Sequence, residues 1–547
     1  MKSKRLTLSV LFVVAAAANA LACTNLIVGK NASADGSTIV SYSADSYGLF
    51  GELYHYPAGM HKKGTLIDIH EWDTGKYLGQ IEQARQTYNV IGNMNEFQLT
   101  IGETTFGGRP ELVDTTGIID YGSLIYLGLQ RSRTAREAIK VMTELVQEYG
   151  YYSSGESFTI ADPNEIWIME MIGKGPGVRG AVWVAVRVPD DCISAHANQS
   201  RIHQFNMNDK ENCMYSPDVI SFAREKGYFD GVNKDFSFAD AYAPLDFGAR
   251  RYCEARVWSY FNMFTDRGNE FLPYILGETD TPMPLFVKPN RKVSVQDVKN
   301  AMRDHYEGTP LDISKDFGAG PYHTPYRLSP LSFKVGDREY FNERPISTQQ
   351  SGFVFVAQMR SELPDPIGGV LWFGTDDANM TVFTPVYCCT DKVPVCYTRV
   401  DGADYITFSW NSAFWIFNWV ANMVYPRYDL MIDDVRATQT ELETTFNEAQ
   451  EGVEAAAAKL LEKDPAKAKA FLTNYTNMTA QSTFDTWKRL GEFLVVKYND
   501  GVVKRMKNGQ FERNSIGQPA GVIRPGYPKE FLEEYVKQTG DRYKMPE

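Results

Sequence analysis

Short apolar runs with β character alternate with helical periodicity along the first half of the chain. Runs rich in branched and aromatic residues and bounded by turn residues predict strands. Between these runs, apolar residues recur at helix spacing and predict a helix over 132–149. Strands and helices mixed in one block favour a layered α/β sandwich. After an initial hairpin, the predicted strands of this block are Tyr88–Ile91, Gln98–Ile101, Ser157–Ala161, Ile166–Met171, Val182–Arg187 and Cys192–Ala195.

The first two apolar runs predict a β-hairpin that begins at a cysteine, Cys23. One run follows the cysteine as Thr24-Asn-Leu-Ile-Val-Gly, and the other reads Ser37-Thr-Ile-Val-Ser-Tyr. Between them lies Asp35-Gly36, a pair that adopts the positive φ angles required by tight hairpin turns. A strand in this position would hold the cysteine rigidly.

A second block of predicted strands is followed by helices. Asp464-Pro465 supplies an N-cap and a first-turn proline for the last helix. We interpret the helices as a C-terminal extension that covers a sheet or makes a subunit contact. Their amphipathic pattern is compatible with a homo-oligomer and equally with packing on their own domain. The predicted strands are Phe353–Gln358, Gly369–Phe373 and Thr381–Tyr387, and the predicted helices are Ala413–Val424, Thr440–Leu461 and Pro465–Leu472.

The first 22 residues have the three parts of a secretory signal. Basic residues open the segment, a mostly apolar run from Leu8 to Ala18 follows, and the small-x-small sequence Ala20-Leu21-Ala22 ends it. The apolar run is too short to span a bilayer. We therefore expect an exported protein, periplasmic or secreted, with no integral membrane segment in the mature chain. The predicted organisation is a signal peptide over 1–22, one large domain over 23–430 and the helical extension over 431–547.

The composition argues against a nucleic-acid partner and against a metal site. The 56 Lys and Arg residues against 68 Asp and Glu residues give a net charge of −12, and no basic block follows the signal. Nucleic-acid binding therefore lacks an electrostatic footprint. No CxxC pair occurs, and no two histidines have metal-ligand spacing with a cysteine, so zinc is not expected. After export, Cys192 could pair with Cys213, and Cys388 or Cys389 with Cys396, but spacing alone leaves the connectivity open.

Cleavage after Ala22 would make Cys23 the first residue of the mature protein, with both a thiol and a free α-amine. A thiol is a better nucleophile than a hydroxyl, and an α-amine with a reference pKa of about 7.7–8.0 is a base poised near neutral pH. The cysteine could instead be structural or accept a lipid anchor. Lipid attachment normally asks for a branched aliphatic residue three places before the cysteine, where this chain has Ala20, so the anchor is the weakest interpretation.

A series of motifs in a fixed order supports the interpretation of Cys23 as a nucleophile. The segment Cys23-Thr-Asn-Leu-Ile-Val-Gly-Lys-Asn-Ala-Ser-Ala-Asp-Gly-Ser-Thr resembles the mature start of the dipeptidase A family of cysteine dipeptidases. That family belongs to the N-terminal nucleophile hydrolases and is related to bile salt hydrolase and penicillin V acylase. Further motifs resemble the family in the same order: Asn93-Met-Asn-Glu-Phe, Gly155-Glu-Ser-Phe-Thr-Ile-Ala-Asp, Ser194-Ala-His-Ala-Asn-Gln, Arg251-Tyr-Cys-Glu-Ala-Arg-Val-Trp, Arg303-Asp-His-Tyr-Glu-Gly and Trp372-Phe-Gly-Thr-Asp.

The resemblance implies an α+β fold, an αββα four-layer sandwich of the N-terminal nucleophile hydrolase type. It also implies hydrolysis of the peptide bond of dipeptides without metal or cofactor. In the related acylases, the site consists of a cysteine, an arginine three residues before an aspartate, an asparagine and a later arginine. The positions of this chain that match are Cys23 as the nucleophile, Asp45, Asn198, and Arg251 or Arg256.

One position departs from that pattern, because Tyr42 stands where the early arginine is expected. Under the resemblance, Asp45 would bond the α-ammonium group, and the Asn198 amide would donate to the developing oxyanion. An arginine would lower the pKa of the cysteine or bind a substrate carboxylate with both guanidinium nitrogens. Arg251 and Arg256 are five residues apart, so on a helix we expect only one of them to point inward.

Four further polar residues deserve a prediction each. His196 should project to the same side of its strand as Asn198, two residues on, and could line the pocket wall or support the site residues from behind. A free α-amine makes a histidine base redundant, so His305 is expected to serve structural hydrogen bonding. Glu103 and Glu156 could bind a substrate amine or simply be paired and exposed.

Three functions compete at this point. The favoured one is an exported cysteine dipeptidase with an N-terminal nucleophile and small peptides as its substrates. The second is an N-acyl amide hydrolase of the bile salt hydrolase or penicillin V acylase type, because the same site cleaves any well-placed amide. The third, from another class, is a surface lipoprotein acylated at Cys23 that binds a partner without catalysis.

Overall fold

A computed structural model describes residues 23–547 of the chain. The predicted signal peptide, residues 1–22, lies outside the described residues. The described chain contains both helices and sheets, which agrees with the expected α+β class. In residues 23–547, no helix combines the length and the apolar composition needed to cross a bilayer.

Residues 23–547 contain twenty-four strands and twelve α-helices, each numbered in chain order. The strands are β1 (Asn25–Val28), β2 (Thr38–Asp45), β3 (His55–Tyr56), β4 (Gly59–Met60), β5 (Leu66–His70), β6 (Tyr77–Glu82), β7 (Gln86–Thr87), β8 (Val90–Ile91), β9 (Met94–Asn95), β10 (Thr100–Gly107), β11 (Gly155–Ala161), β12 (Ile166–Gly173), β13 (Ala181–Arg187), β14 (Ile193–His196), β15 (Cys213–Tyr215), β16 (Ser332–Val335), β17 (Arg338–Phe341), β18 (Ser351–Met359), β19 (Val370–Thr375), β20 (Thr384–Tyr387), β21 (Val503–Lys504), β22 (Met506–Lys507), β23 (Gln510–Phe511) and β24 (Val522–Ile523).

The twelve α-helices of this range accompany the strands. They are α1 (Tyr121–Arg131), α2 (Ala135–Tyr149), α3 (Val219–Glu225), α4 (Phe238–Tyr242), α5 (Ala255–Phe264), α6 (Gly268–Leu276), α7 (Val295–Ala301), α8 (Asp365–Gly368), α9 (Ala413–Val424), α10 (Tyr428–Leu461), α11 (Pro465–Tyr498) and α12 (Lys529–Thr539).

Two large antiparallel sheets organise the molecule. The first has six strands in the order β14-β1-β2-β18-β19-β20, and the second has eight in the order β15-β13-β12-β11-β10-β9-β8-β3. Strands β1 and β2 of the first sheet contact β10 and β11 of the second. Helices α1 and α2 pack on the second sheet, while α9, α10 and α11 pack on β19 and β20 of the first. The central strands of both sheets are buried along their whole length, so the largest hydrophobic core lies where these elements meet.

The N-terminal hairpin forms as predicted. Strands β1 and β2 pair antiparallel with Ile27 opposite Val40, and Gly36 in the connection has a φ of 79°. Strand β1 also pairs with β14, which places Asn25 opposite His196. Because β1 is flanked on both sides, the residues at its start are held by two neighbouring strands.

The central helix begins three residues later than the periodicity predicts. Thr134 is its N-cap and accepts a hydrogen bond from the backbone N–H of Glu137, so α2 starts at Ala135. The residues just before it, where the prediction already placed helix, form the connection that follows α1. Helix α1 itself was not predicted. Its sequence is buried on most sides and contains two glycines, so it lacks the polar face that makes a helix recognisable.

The C-terminal helices are longer than predicted and cover one sheet. Asp464 caps α11 through its side chain, as expected, but α10 begins at Tyr428 and α11 continues to Tyr498. An ion pair between Arg303 and Glu443, both almost fully buried, ties α10 to the strand-bearing part of the chain. The expectation that these helices cover a sheet agrees with the packing of α11 on β20. All seven cysteines have free thiols in the structure.

Candidate active site

Cys23 lies immediately before β1, where the two large sheets approach one another. Its side chain is almost completely buried, with 3% of its surface exposed. The next residue, Thr24, accepts a hydrogen bond from the backbone N–H of Ser43 on β2 at 3.0 Å. The hairpin therefore fixes the backbone that carries the sulfur, as the sequence predicts.

The guanidinium group of Arg256, on α5, clamps the start of the chain to the loop after β14. Nη1 donates to the carbonyl oxygen of Cys23 at 2.5 Å and to Thr24 Oγ1 at 2.8 Å. Nη2 donates to the carbonyl oxygen of Ala197 at 3.0 Å and to Asn198 Oδ1 at 2.9 Å. Burial lowers the pKa of Arg256 to about 10, so the group stays cationic at neutral pH. One buried fork thus holds two of the predicted site residues together.

Asn198 adopts a left-handed backbone conformation at the end of β14. Its φ is 64°, a region that asparagine tolerates better than most residues. Besides accepting from Arg256, its side chain donates from Nδ2 to the carbonyl oxygen of Thr105 at 2.8 Å. An amide nitrogen carries two hydrogens. The predicted oxyanion contact therefore requires the second hydrogen of this group, and the role stays a prediction.

Asp45, the last residue of β2, faces the cysteine through its backbone. The backbone N–H of Asp45 hydrogen-bonds the Cys23 sulfur. Its buried carboxylate accepts from Ser351 Oγ at 2.6 Å, from Ser43 Oγ at 3.0 Å and from Arg344 Nη2 at 2.6 Å. These contacts orient the carboxylate, and its bond to the α-ammonium group stays a prediction.

The sulfur itself meets a tyrosine and a glutamate. Cys23 Sγ lies 3.5 Å from Glu103 Oε1 and 3.8 Å from the Tyr42 hydroxyl. The Tyr42 hydroxyl donates to Glu103 Oε1 at 2.7 Å. Tyr42, which replaces the arginine of the expected pattern, thus connects the nucleophile to a carboxyl group from the other sheet.

The surroundings of the sulfur favour its neutral form. Burial raises the pKa of the Cys23 thiol well above its ordinary value, and the charges of Glu103 and Asp45 raise it further. The cationic Arg256 bonds the Cys23 carbonyl oxygen and not the sulfur. A thiol in this setting reacts only when a base removes its proton.

The two candidate arginines occupy different environments. Arg251 lies in a π-helical turn, Ala249–Glu254, and pairs with Glu343, while its guanidinium group stacks on the ring of Phe341. No described contact brings Arg251 to the cysteine, so the structure places Arg256 alone of the pair against Cys23. The expectation that only one of them points inward agrees with this arrangement.

Both histidines considered from the sequence are buried and hydrogen-bonded. His196 bridges Thr104 Oγ1 at 2.7 Å and Thr159 Oγ1 at 2.6 Å, and burial lowers its pKa to about 3. It links the two sheets as a neutral group and does not line an open wall. His305 contacts Glu307 through Nδ1 at 3.1 Å, which agrees with the structural role expected for it.

Sequence comparison identifies the family. The profile of Peptidase family C69 matches residues 22–55 and 50–441, most of the chain. The chain belongs to Peptidase family C69. As expected from the motif order, it is a peptidase of the cysteine dipeptidase group.

Named relatives of this C69 peptidase are dipeptidases. A probable dipeptidase from Salmonella dublin is 30% identical over 387 residues, which cover 67% of this chain and 81% of that protein. Dipeptidase A from Lactobacillus helveticus is 25% identical over 416 residues, covering 72% of this chain and 80% of that protein. A dipeptidase from Bifidobacterium longum is 26% identical over 418 residues, covering 68% of this chain and 72% of its own length.

Two residues at the site of this C69 peptidase were missed or left open by the sequence. Arg344, which pairs with Asp45, gave no signal, because it lies about three hundred positions away in the chain and in no recognised motif. Glu103 was left open between binding an amine and an exposed pair; it is in fact buried against the sulfur.

Proposed function

We propose that this chain is an exported cysteine dipeptidase in which Cys23 is the nucleophile and its own α-amine is the base. The proposal rests on the position of the Cys23 thiol, which is buried, held at the end of a strand and clamped through its carbonyl oxygen by Arg256. The dipeptidase names of the relatives supply the substrate class. Export and cleavage after Ala22 follow from the signal-like N-terminus and free the amine.

In the proposed reaction, the α-amine takes the proton of the Cys23 thiol, and the sulfur attacks the carbonyl carbon of the peptide bond. The carbon–nitrogen bond breaks, and the departing amine takes the proton from the α-ammonium group. A water molecule then attacks the thioester carbonyl carbon, and the α-amine takes one of the water protons. The carbon–sulfur bond breaks, the acid product leaves, and the α-ammonium group returns the proton to the sulfur, which restores the thiol. Asn198 and Asp45 would stabilise the oxyanion and orient the ammonium group, respectively.

We further propose that the two sheets and their helices form an αββα four-layer sandwich. The contacts of β1 and β2 with β10 and β11, with α1 and α2 outside one sheet and α9 to α11 outside the other, support this arrangement. It fits the N-terminal nucleophile hydrolases that the N-terminal motif resembles, because in such a sandwich the first strand delivers the nucleophile between the sheets.

The dipeptidase and the competing amidase differ in whether they prefer a substrate with a free α-amine or one whose α-amine is acylated. We expect kcat/KM for L-alanyl-L-alanine to exceed that for its N-acetyl derivative by at least about 10²-fold, because an acidic site beside the sulfur accommodates an ammonium group and rejects an acyl group. Steady-state assay of both compounds with the purified mature chain tests this. Faster cleavage of the acetylated compound would replace the dipeptidase with an N-acyl amide hydrolase.

A further inference from the structure

Two glutamates lie buried together beside the sulfur. Glu103 on β10 and Glu156 on β11 each expose 1% of their surface. Their carboxyl groups hydrogen-bond each other, and such a bond needs a proton on one of them. Like charges in one buried site cannot both ionise readily. The pair therefore holds a proton in the resting protein.

No cation balances this pair in the described part of the chain. Across residues 23–547, neither carboxyl group forms an ion pair with a lysine, arginine or histidine, and no hydroxyl, amide or backbone N–H group donates to the Oε2 atom of either residue. Burial raises the pKa of Glu103 to about 7 and that of Glu156 well above its usual range. The pair therefore becomes negative when Glu103 loses its proton, and no cation in the described residues balances that charge.

The stereochemistry of a dipeptide places such a partner within reach. In a free dipeptide, the α-nitrogen is two bonds from the scissile carbonyl carbon, a distance of about 2.5 Å. A sulfur poised to attack stands about 3–3.5 Å from that carbon. The substrate ammonium group must therefore lie within a few ångströms of Cys23 Sγ. Glu103 Oε1, at 3.5 Å from Sγ, meets that requirement.

We propose that the Glu103–Glu156 carboxyl pair is the recognition site for the α-ammonium group of the substrate, and that it restricts this enzyme to peptides whose first residue has a free amine. The inference rests on the proposed dipeptidase function. Binding of the ammonium group displaces the proton of Glu103 to solvent, while Glu156 keeps its own proton. An N-acylated peptide brings no charge and leaves the proton in place.

Neither Asp45 nor a metal ion fits these observations as well. The carboxylate of Asp45 already has Arg344 as its cation and two hydroxyl donors. Over residues 23–547, no group of three or more histidine, cysteine, aspartate or glutamate side chains is placed to hold a metal ion. An organic ammonium group suits the Oε2 atoms of Glu103 and Glu156, which accept no hydrogen bond from another residue type in the described chain.

The number of protons released on binding is measured by calorimetric titration of L-alanyl-L-alanine into the Cys23→Ala mature chain in two buffers of different ionisation enthalpy. At pH 6 we expect release of about one proton per bound dipeptide, declining as the pH rises through the pKa of Glu103, because Glu103 in the free protein already loses its proton over that range. N-acetyl-L-alanyl-L-alanine should release none. Binding of the free dipeptide at pH 6 without proton release would overturn the inference.

The titratable groups that surround the pair require one control. They are the Cys23 thiol, the α-amine of residue 23 in the mature chain, Tyr42, Asp73, Tyr121 and Tyr151. Of these, Asp73 has a pKa raised by burial to about 6, so it could contribute protons in the same range. The Asp73→Asn variant should keep the proton release, and Glu103→Gln should abolish it. The reverse pattern would assign the proton to Asp73 and contradict the proposal.

Turnover supplies a second readout that a merely structural role would not change. Glu103→Gln should lower kcat/KM for the free dipeptide by about 10²-fold, mainly through KM, while the value for the N-acetyl dipeptide stays the same or rises. Glu170→Gln is the matched control, since Glu170 is also a buried carboxyl with a pKa near 7 but bonds Ser200 and the backbone of Arg201. This variant should leave the ratio of the kcat/KM values for the two substrates unchanged.

The outcomes separate this inference from the proposed function. If the parent enzyme hydrolyses free dipeptides but Glu103→Gln lowers kcat/KM equally for both substrates, the dipeptidase function stands and the proposed ammonium site is wrong. That result would fit pairing of Glu103 with the α-amine of Cys23 itself. If the parent enzyme does not hydrolyse free dipeptides at all, the proposed function fails first.

Discussion

The Cys23→Ala variant is expected to lose dipeptide hydrolysis by at least about 10⁴-fold in kcat, because the reaction has no other nucleophile at this position. The chain should still fold, since alanine fits the space of the buried thiol and the main loss is the weak hydrogen bond from the backbone N–H of Asp45 to the sulfur. Steady-state kinetics on L-alanyl-L-alanine, with circular dichroism to verify folding, gives the measurement. Cys23→Ser should retain the fold and remain severely impaired, because a hydroxyl is a weaker nucleophile than a thiol.

A matched cysteine separates the nucleophile from a general need for thiols. Cys192 is also buried, and its pKa is raised to about 11 by burial and by Asp191, yet it contacts Asp191 and not the site. Cys192→Ala should keep the parent kcat. Full activity of a folded Cys23→Ala variant would exclude the N-terminal cysteine mechanism.

Removal of the Arg256 fork should have the second largest effect. In Arg256→Leu, the carbonyl oxygens of Cys23 and Ala197 lose their buried donor, and each such loss costs about 1–3 kcal/mol. We expect the free energy of unfolding to fall by several kcal/mol and kcat to fall by about 10²-fold or more, because the cysteine and Asn198 are no longer held together. Urea unfolding and steady-state kinetics measure the two quantities.

A charge-conserving variant and the neighbouring arginine complete this test. Arg256→Lys keeps the positive charge but cannot donate from both fork nitrogens, so it should stay folded and lose most of the activity. Arg251→Leu breaks the contacts with Glu343 and Phe341, neither of which reaches the cysteine, and should lower kcat far less. If Arg251→Leu were the more damaging substitution for kcat, the assignment of Arg256 to the site would be wrong.

The local signals in the sequence predicted much of the fold. Asp35-Gly36 and the apolar runs around it specify the first hairpin, and Asp464-Pro465 specifies the start of α11, because both depend on neighbouring residues. Helix α1 escaped prediction because tertiary burial, and not an amphipathic pattern, stabilises it. The early start of α10 at Tyr428 escaped for a similar reason: its first turns bury Met431 and Val435 among many polar residues.

The site was predictable only as far as the family resemblance reached. The resemblance named Cys23 and the two candidate arginines. The structure distinguishes between these arginines, because Arg251 lies in a π-helical turn and pairs with Glu343. Spacing along a regular helix could not reveal that turn. Arg344 joins Asp45 through chain folding alone.

The acidic surroundings of the sulfur give the mechanism its character. The pKa of Cys23 is raised by burial, by Glu103 and by Asp45, so the thiol waits in its neutral form. Under the proposed function, the free α-amine activates it, and under the further inference the carboxyl pair selects substrates that bring an ammonium group. Activation and selection would then depend on different groups and respond differently to substitution.

The most direct test of the account is the mass of the N-terminal peptide of the exported protein, measured before and after alkylation with iodoacetamide. The account predicts an unmodified peptide that begins at Cys23, whose alkylation on sulfur abolishes dipeptide hydrolysis. A peptide that carries an acyl group on Cys23 would instead identify a surface lipoprotein. A fully active enzyme in which Ala22 still precedes Cys23 would contradict the role of the free α-amine.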